Sequence, residues 1–161
     1  MAPKEQEAGR IVGVISDTHG LLRPEAVAEL RGSELIVHAG DIGNPEVLDE
    51  LRVIAPLIAV RGNTDKGGWA EALPETKVVQ VGEFSFYLLH DLSKLDLDPV
   101  AADLTGVISG HSHRPEVRER GGVLFLNPGS AGPRRFNLPV TVARLCMRDG
   151  DLDAEIVDLH V

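Results

Sequence analysis

This sequence has few cysteines and few aromatic residues, and its basic residues are outnumbered by its acidic ones. Its 161 residues include one cysteine, Cys146, which excludes an intrachain disulfide framework and any paired-cysteine zinc or redox motif. Aromatic residues make up 4% of the chain, and 25 acidic against 16 basic side chains give a formal net charge of −9. Nonspecific binding to nucleic acids or anionic membranes depends mainly on lysine and arginine. We therefore expect neither as a partner, whereas this charge suits divalent cations.

Long hydrophobic runs and targeting signals are also lacking. The first apolar stretch, Ile11–Ile15, is far too short for a signal-peptide core or a membrane span. We expect a cytoplasmic protein with a flexible N-terminal arm over residues 1–9 and a single domain over residues 10–161. A chain of this size buries roughly 70% of the surface that its unfolded form exposes, so it can form a core without disulfides.

Two kinds of apolar pattern alternate in the first half of the chain. Short runs rich in β-branched residues predict buried strands at Ile11–Ile15, Leu35–Val37 and Leu57–Val60. Between these runs, prolines followed by apolar residues at helical spacing predict helices that begin at Pro24 and Pro45. The resulting β-α-β-α-β order predicts parallel strands joined by right-handed crossovers.

The second half is richer in strands. Two runs flank Gly82 closely enough to predict a hairpin, and five further runs predict strands: Lys77–Val81, Glu83–Leu89, Val107–Ile108, Val117–Glu119, Val123–Leu126, Val140–Cys146 and Ala154–Leu159. Asp98 is predicted to cap one more short helix, near Val100–Leu104. We therefore expect an α/β fold in which two mixed sheets pack face to face with helices outside, a four-layer α-β-β-α sandwich.

Polar clusters follow five of the predicted strands. They are Ser16–Gly20, His38–Asp41, Arg61–Asp65, His90–Asp91 and Ser109–His113. Ligands bind at the carboxyl ends of strands in α/β sheets, because the loops there leave a crevice that the strands hold rigid. Carboxylate, amide and imidazole groups suit Mn, Fe, Zn, Co or Ni better than Ca, and the lack of thiolates argues against a structural zinc.

The spacing within the clusters also suits metal binding. In an extended segment, side chains two positions apart project to the same face, so Asp17 and His19 can converge on one ion. His111 and His113 can do the same or straddle two ions. Glycines that allow tight turns precede three of these groups: Gly40, Gly62 and Gly110. Each aspartate or asparagine alone is more typical of a turn cap, but together with the histidines they favour ligation.

These motifs resemble, in chain order, the signature of the calcineurin-like metallophosphoesterase superfamily: Asp17-x-His19, Gly40-Asp41, Gly62-Asn63, His90 and Gly110-His111-x-His113. The short chain and the segments Ser16–Gly20, Gly62–Asp65 and Asn127–Ser130 resemble its small YfcE-like bacterial and archaeal phosphodiesterase branch. The resemblance implies a binuclear metal site. One metal would be held by Asp17, His19 and His113, the other by Asn63, His90 and His111, with Asp41 bridging both.

The resemblance also implies a metal-dependent phosphodiesterase, a hydrolase of phosphoric esters in which a metal-bridging hydroxide attacks phosphorus in line. It implies two divalent ions, with Mn favoured and Ni, Co, Fe, Zn or Mg as alternatives, a small phosphodiester substrate, and a homodimer or homotetramer. One position departs from the family pattern. Many members carry a histidine directly after Gly-Asn, where this chain has Thr64, which is not a comparable general acid.

The roles of several nearby polar residues stay open. His38 is favoured as support for a ligand over direct ligation, and Asp65 either orients a histidine or caps the next segment. Asp91 either accepts a hydrogen bond from a ligand or lies on the surface. Asn127 to Ser130 either presents backbone N–H groups to an anion or forms a turn. Candidates for a phosphate clamp, with Arg114 and Arg134 preferred, are Arg23, Arg61, Lys66, Arg114, Arg134 and Arg135.

A non-catalytic scaffold, or a module that binds a metal or nucleotide without turnover, is the alternative function. A eukaryotic retromer subunit resembles the same fold and serves as a scaffold through exposed apolar surface, so the fold alone does not establish catalysis. Two features of this chain favour the enzyme. Every expected ligand position is filled, and aromatic residues, which often anchor interfaces, are scarce.

Overall fold

The computed structural model describes residues 9–161, so the arm expected over residues 1–9 lies almost wholly outside the described residues. Strands and helices alternate in the first half: β1 Arg10–Ile15, α1 Pro24–Leu30, β2 Leu35–His38, α2 Pro45–Ile54, β3 Leu57–Ala59 and α3 Gly68–Glu71. Both α1 and α2 begin at a proline, whose fixed φ suits the first helical turn. Asn44 caps α2 by accepting a hydrogen bond from the N–H of Val47.

Strands dominate the second half. They are β4 Thr76–Val81, β5 Phe84–Leu89, β6 Gly106–Ile108, β7 Glu116–Arg120, β8 Val123–Asn127, β9 Thr141–Arg148 and β10 Asp151–Asp158. The strands β4 and β5 form the antiparallel hairpin predicted around Gly82. Each of these strands overlaps a run in which the sequence predicts one.

The strands form two five-stranded mixed sheets. The first has the order β10-β9-β1-β2-β3, with β1, β2 and β3 parallel and β9 antiparallel to β1. The second has the order β4-β5-β6-β8-β7, with β5, β6 and β8 parallel at its centre. The predicted α/β class with two mixed sheets is confirmed.

The main core lies between the two sheets. Both sheets contribute buried side chains to it, among them Val12, Val14, Val37, Phe86, Leu88 and Ile108. The helices α1 and α2 cover the outer face of the first sheet, where Leu30 and Leu51 pack with Ile36. Burial of this apolar surface is the main force that holds the strands together, and their rigid ends position the loops that follow them.

A segment with little regular structure covers the outer face of the second sheet. Leu92 and Leu95 of this segment pack against Tyr87 and Val107 of the sheet. Its regular part is a short 3₁₀ helix, Leu92–Lys94. In the described part of the chain, no helix is long and apolar enough to cross a membrane.

The prediction of a helix near Val100–Leu104 is wrong, because the structure has turns there. Asp98 does accept a hydrogen bond from the N–H of Val100, at 3.0 Å, as a cap would. The chain then forms turns instead of a helix, and Asp103 has a left-handed φ of 55°, which is incompatible with a right-handed helix. The short α3, which starts at Gly68, was not predicted because glycine there indicates a break in helical structure.

Candidate metal centre

The loops that follow β1, β2, β3, β5 and β6 bring their polar side chains together. Two groups of three side chains each have candidate ligand atoms within 4.8 Å of one another: a first cluster of Asp17, His19 and His113, and a second cluster of Asp41, His90 and His111. Asn63 lies beside the second cluster, with its Oδ1 3.2 Å from Nδ1 of His111. All seven residues that the sequence proposes as ligands therefore meet in one place.

Asp17 is buried just beyond the end of β1, and its two carboxylate oxygens have different surroundings. Oδ2 accepts hydrogen bonds from the hydroxyl of Ser16 at 2.7 Å and the N–H of His111 at 3.1 Å. Oδ1 lies 3.3 Å from Nε2 of His113 and 3.8 Å from Nε2 of His19. Burial opposes ionisation, but the nearby imidazole of His113 and the hydrogen bond from Ser16 lower the pKa of Asp17. One oxygen is thus held by the protein, and the other faces the first cluster.

The first cluster contains polar atoms that the protein leaves without partners. Among residues 9–161, four buried side-chain polar atoms have no hydrogen bond, and three of them are Asp17 Oδ1, His19 Nε2 and His113 Nδ1. An unsatisfied buried polar group costs roughly 1–3 kcal/mol, so three together indicate a missing partner. Carboxylate oxygen and imidazole nitrogen are ligands for divalent transition metals. The residues present therefore fit a metal ion.

Asp41 follows Gly40 beyond the end of β2 and belongs to the second cluster, but its carboxylate also lies close to the first cluster. Its Oδ2 is 3.7 Å from Nε2 of His19 and 3.2 Å from Nε2 of His90. Its Oδ1 accepts a hydrogen bond from the N–H of Thr64 at 2.9 Å. Burial opposes ionisation, but His90 and the Thr64 N–H hold the pKa of Asp41 far below its usual range. At neutral pH a carboxylate therefore faces one histidine of each cluster, His19 and His90.

The backbone orients His90 toward the second cluster. Its Nδ1 donates a hydrogen bond to the carbonyl of Ala39 at 2.7 Å, which leaves Nε2 directed at Asp41. Nδ1 of His111 lies 3.3 Å from this Nε2. Burial lowers the pKa of His90, but its hydrogen bond with Asp41 and the charge of Asp17 raise it by more. His90 and His111 therefore present one nitrogen each to the same small volume.

Left-handed backbone, not extended backbone, presents most of these side chains. The φ angles lie between 45° and 71° at five of the seven positions, namely Asp17, His19, Asp41, His111 and His113. The expectation that extended spacing aligns each pair is therefore wrong, because β1 ends at Ile15 and β6 at Ile108. Left-handed backbone costs L-residues roughly 1–2 kcal/mol each, and such strain persists where the surroundings fix it.

This strain predicts an unusual order of stability at His111, whose φ is 71°. His111→Gly and His111→Ala both remove the imidazole, but glycine adopts this φ without strain. We expect the glycine variant to be more stable than the alanine variant by about 1 kcal/mol in urea unfolding of metal-free protein. The same pair of substitutions at Ser112, where φ is not positive, should favour alanine. Equal stability of the two His111 variants would contradict the prediction.

Glycine is required at Gly62 and Gly110 because other loops approach their Cα atoms closely, and not because φ is left-handed there. A Cβ on Gly62 would overlap the backbone nitrogen of Asp41, and a Cβ on Gly110 would overlap the hydroxyl of Ser16. Of the three glycines that precede ligand positions, Gly40 alone has the left-handed φ that the sequence suggests, at 98°. The other two let neighbouring loops pack closely enough for the clusters to form.

His38 is fully buried at the end of β2 and uses both ring nitrogens within the protein. Nδ1 accepts a hydrogen bond from the N–H of Gly40 at 3.1 Å, so the proton is on Nε2, which donates to Oγ1 of Thr18 at 3.0 Å. The Thr18 hydroxyl donates in turn to the carbonyl of Ile42 at 2.8 Å. His38 therefore braces the loop that carries Asp41, and neither of its nitrogens is available to a metal.

The burial of His38 predicts a loss of stability in acid. Burial lowers its pKa to about 4, so below the ordinary pKa of 6.5 the unfolded chain binds a proton that the folded chain does not. The contribution of His38 to the free energy of unfolding is therefore present at neutral pH and is lost as the pH falls toward 4. Between pH 7 and pH 5 we expect wild type to lose about 2 kcal/mol more than His38→Gln in urea unfolding. His160→Gln, at an exposed terminal site, should behave like wild type; identical pH dependence in His38→Gln would refute the prediction.

Asp65 ties the loop after β3 to the loop after β2. Its Oδ2 accepts hydrogen bonds from the N–H groups of Gly62 at 2.9 Å and Ile42 at 3.2 Å, and its Oδ1 accepts one from Gly43 at 3.0 Å. Asp65 therefore has neither of the two roles expected from the sequence: its hydrogen bonds neither orient a histidine nor cap a helix. Thr64 contributes its backbone N–H to Asp41, while its side chain is exposed.

The segment from Asn127 to Ser130 is a turn that braces the ligand loops. Nδ2 of Asn127 donates to the carbonyl of Gly110 at 3.0 Å, and the hydroxyl of Ser130 donates to the carbonyl of Asp17 at 3.0 Å. The N–H of Gly129 is occupied by Oδ1 of Asn127 at 2.9 Å, so it does not face an anion. Of the two interpretations that the sequence leaves open, these contacts favour the turn.

The adjacent arginines after this turn have different surroundings. Nη2 of Arg134 donates a hydrogen bond to the carbonyl of Val161, the last residue, at 2.8 Å. Arg135 instead acts on His19: burial lowers the pKa of that histidine, and the positive charge of Arg135 adds to the lowering, although neighbouring aspartates oppose it. Arg135 is therefore near enough to the first cluster for its charge to act on His19, while Arg134 stays a prediction as a phosphate contact.

Two of the four other basic candidates, Arg23 and Arg61, are engaged with protein groups. Arg23 donates to a backbone carbonyl at 3.3 Å, and Arg61 pairs with Glu75 at 2.9 Å. Lys66 is exposed. Arg114 is also exposed, and it lines a groove that reaches the second cluster.

Two supporting residues received no definite role from the sequence. Ser16 anchors Asp17, and the only signal for this role is its position directly before a ligand. Asp91 is held by Ser93, whose N–H and hydroxyl donate to its Oδ1 at 3.0 and 2.8 Å. Its Oδ2 lies 3.8 Å from Nε2 of His111, so it is placed to orient that exposed histidine.

The fold and the site together define a phosphoesterase-like α/β protein with two adjacent sets of metal donors. The chain matches the model of the calcineurin-like phosphoesterase superfamily domain over residues 11–150. It is 40% identical to a probable metallophosphoesterase of Methanothermobacter thermautotrophicus, over 91% of this chain and 91% of that protein. The chain therefore belongs to the calcineurin-like phosphoesterase superfamily. Its family and this relative indicate a metal-dependent hydrolase of phosphoric esters.

Solved structures share the fold. A predicted phosphoesterase of Streptococcus pneumoniae matches with a TM-score of 0.74 and 25% identity over 95% of this chain and 91% of its own. YfcE, a phosphoesterase from E. coli, matches with a TM-score of 0.66 and 22% identity over 92% and 99%. Wild-type Vps29 of Entamoeba histolytica, solved with Zn²⁺, matches with a TM-score of 0.68 and 28% identity over 92% and 99%. The expected YfcE-like architecture is confirmed.

Proposed function

We propose that the protein is a phosphodiesterase that works with two divalent metal ions, with Mn as the favoured metal. The position of Asp41 carries the proposal, because its carboxylate lies close to a histidine of each cluster, His19 of the first and His90 of the second. One ion would be held by Asp17, His19 and His113, the other by Asn63, His90 and His111, and Asp41 would be shared. Asp41 is ionised at neutral pH, so it can offset part of the charge of two cations.

Two bound ions supply Lewis-acid activation of water and of the phosphoryl oxygens. The protein's own contribution is to hold the donors in place before substrate arrives. Ser16 fixes Asp17, and the Ala39 carbonyl fixes the ring of His90. Arg135, whose charge reaches His19, is placed to attract an anionic phosphate toward the first cluster.

Thr64 limits the range of leaving groups. It occupies the position where many superfamily members carry a histidine, and its side chain is exposed. A threonine hydroxyl does not protonate a leaving oxygen at neutral pH, since its proton is held far too tightly. We therefore expect efficient hydrolysis of esters with stable leaving anions and slow hydrolysis of simple alkyl esters.

Hydrolysis of two activated esters tests the proposal. Chelator-stripped protein is assayed with bis-p-nitrophenyl phosphate, a diester, and p-nitrophenyl phosphate, a monoester, while Mn, Ni, Co, Zn and Mg are added back separately. We expect metal-restored hydrolysis of the diester at a higher kcat/KM than the monoester. Hydrolysis no faster than with the metal alone would refute the proposed activity, and a preference for the monoester would refute the diester assignment.

A metal-binding module without turnover is the second candidate. The 28% identical match to Vps29 complexed with Zn²⁺ supports it, since a protein of this fold can hold a metal and be named for vacuolar protein sorting. Calorimetric titration separates the two functions. Tight binding of metal without hydrolysis of either ester would favour the module.

A further inference from the structure

A groove leaves the second cluster along the outer face of the second sheet. Its inner part is lined by Asp91 and His111 among others, so it opens directly onto the candidate metal centre. Leu92, Arg118 and Phe125 line this part and also the outer part beyond it. The two parts therefore adjoin each other at these three side chains, between the segment after β5 and the edge strand β7.

A pair formed by a guanidinium and an aromatic ring lies where the two parts of the groove meet. Arg118 of β7 and Phe125 of β8 are direct cross-strand partners. The guanidinium carbon of Arg118 lies 5.4 Å from the centre of the Phe125 ring. Oε1 of Glu116 lies 3.7 Å from Nε of Arg118. A guanidinium stacked on an aromatic ring presents a planar cationic face, to which another π-system can be added.

The groove is suited to an organic group and not to phosphate alone. Beyond Phe125 its lining includes the apolar side chains of Leu95, Val100 and Val123. Phosphodiester hydrolysis needs only the phosphorus at the metal donors, so the ester groups must extend away from them. A groove that begins at His111 is an available path for one ester group.

We propose that this groove binds the nucleoside group of a phosphodiester substrate, with the base stacked on the Arg118–Phe125 pair. The inference rests on the proposed function, which places the phosphorus at the two clusters. Stacking on arginine and aromatic side chains accepts any base, because every base has a π-face. The groove therefore selects for a flat nucleoside ester over a small alkyl ester, with little preference among bases.

A pair of substrates with the same leaving group tests the inference. Thymidine 5′-(p-nitrophenyl phosphate) and methyl p-nitrophenyl phosphate differ only in the second ester group. Wild type should favour the thymidine ester in kcat/KM by about tenfold, and Arg118→Gln should reduce this preference about fivefold through KM while kcat stays nearly constant. Phe125→Leu, which keeps an apolar side chain, should act in the same direction. Arg52→Gln, at an exposed position of α2, is the matched control and should leave the preference unchanged.

Binding of thymidine 5′-monophosphate, followed by calorimetry with and without Mn, separates the inference from the proposed function. Binding that Arg118→Gln weakens about fivefold supports the groove even if neither ester is hydrolysed. If wild type hydrolyses the methyl ester but Arg118→Gln changes neither substrate preference nor nucleotide binding, the groove is overturned and the phosphodiesterase stands. Absence of nucleotide binding to wild type overturns the groove in every case.

Discussion

Asp41→Asn should lower kcat for bis-p-nitrophenyl phosphate by roughly 10³-fold or more in the Mn-loaded protein. Oδ2 of Asp41 lies 3.2 Å from a histidine nitrogen of the second cluster and 3.7 Å from one of the first. Asparagine keeps the shape of the side chain but removes the negative charge that two cations would share. Its amide nitrogen also has no lone pair available to bind a metal, so binding of at least one ion should be weakened.

Two further measurements distinguish this cause from misfolding. Mn should raise the melting temperature of wild type and do so much less in Asp41→Asn, because binding to the folded state alone stabilises it. The matched control is Asp49→Asn, an exposed aspartate on α2, which should keep full activity and the full thermal response. Activity of Asp41→Asn within tenfold of wild type would contradict the role of Asp41.

Asp65→Ala should produce a large loss of stability together with a loss of activity. Asp65 accepts three backbone hydrogen bonds, from Gly62, Ile42 and Gly43, and its side chain is buried. Alanine leaves two buried N–H groups without a partner, and we expect the free energy of unfolding to fall by about 3 kcal/mol. Activity should fall as well, because these hydrogen bonds join the loop that carries Asp41 to the loop that carries Asn63.

Asp98→Ala is the control for this prediction, measured by urea unfolding at pH 7. Asp98 also accepts backbone hydrogen bonds, but in an exposed turn and outside both clusters, so its loss should cost less than about 1 kcal/mol. Asp65→Asn keeps one acceptor oxygen and should lie between wild type and Asp65→Ala in both stability and activity. Equal stability of Asp65→Ala and Asp98→Ala would show that Asp65 does not join the two loops.

Much of the fold follows from local sequence patterns. Short β-branched runs bounded by Pro24 and Pro45 indicate the alternating first half, because strand burial and helix initiation are both local properties. The segment after Asp98 was misread for a physical reason. A capping aspartate and apolar residues suit a helix there, but Asp103 adopts a left-handed φ that no local pattern reveals.

The identity of the candidate ligands was also accessible from the sequence, whereas their geometry was not. Chain order and residue type, compared with the family signature, predict that Asp17 and His113 bind the same metal, and the structure places both in one cluster. The left-handed backbone that presents them depends on packing between loops distant in sequence, such as Gly110 against Ser16. The same holds for Asp65 and Asn127, whose partners are backbone groups of other loops and carry no signature in side-chain type.

The most direct test of the central claim is a titration of Mn into chelator-stripped protein, with bound metal and diester hydrolysis measured on the same samples. The account predicts two Mn ions per chain and activity that rises mainly as the second ion binds, because both clusters face the same carboxylate. It further predicts that His111→Ala lowers the stoichiometry or affinity of one ion and removes activity. A single ion per chain with full activity, or two ions with no hydrolysis, would contradict it.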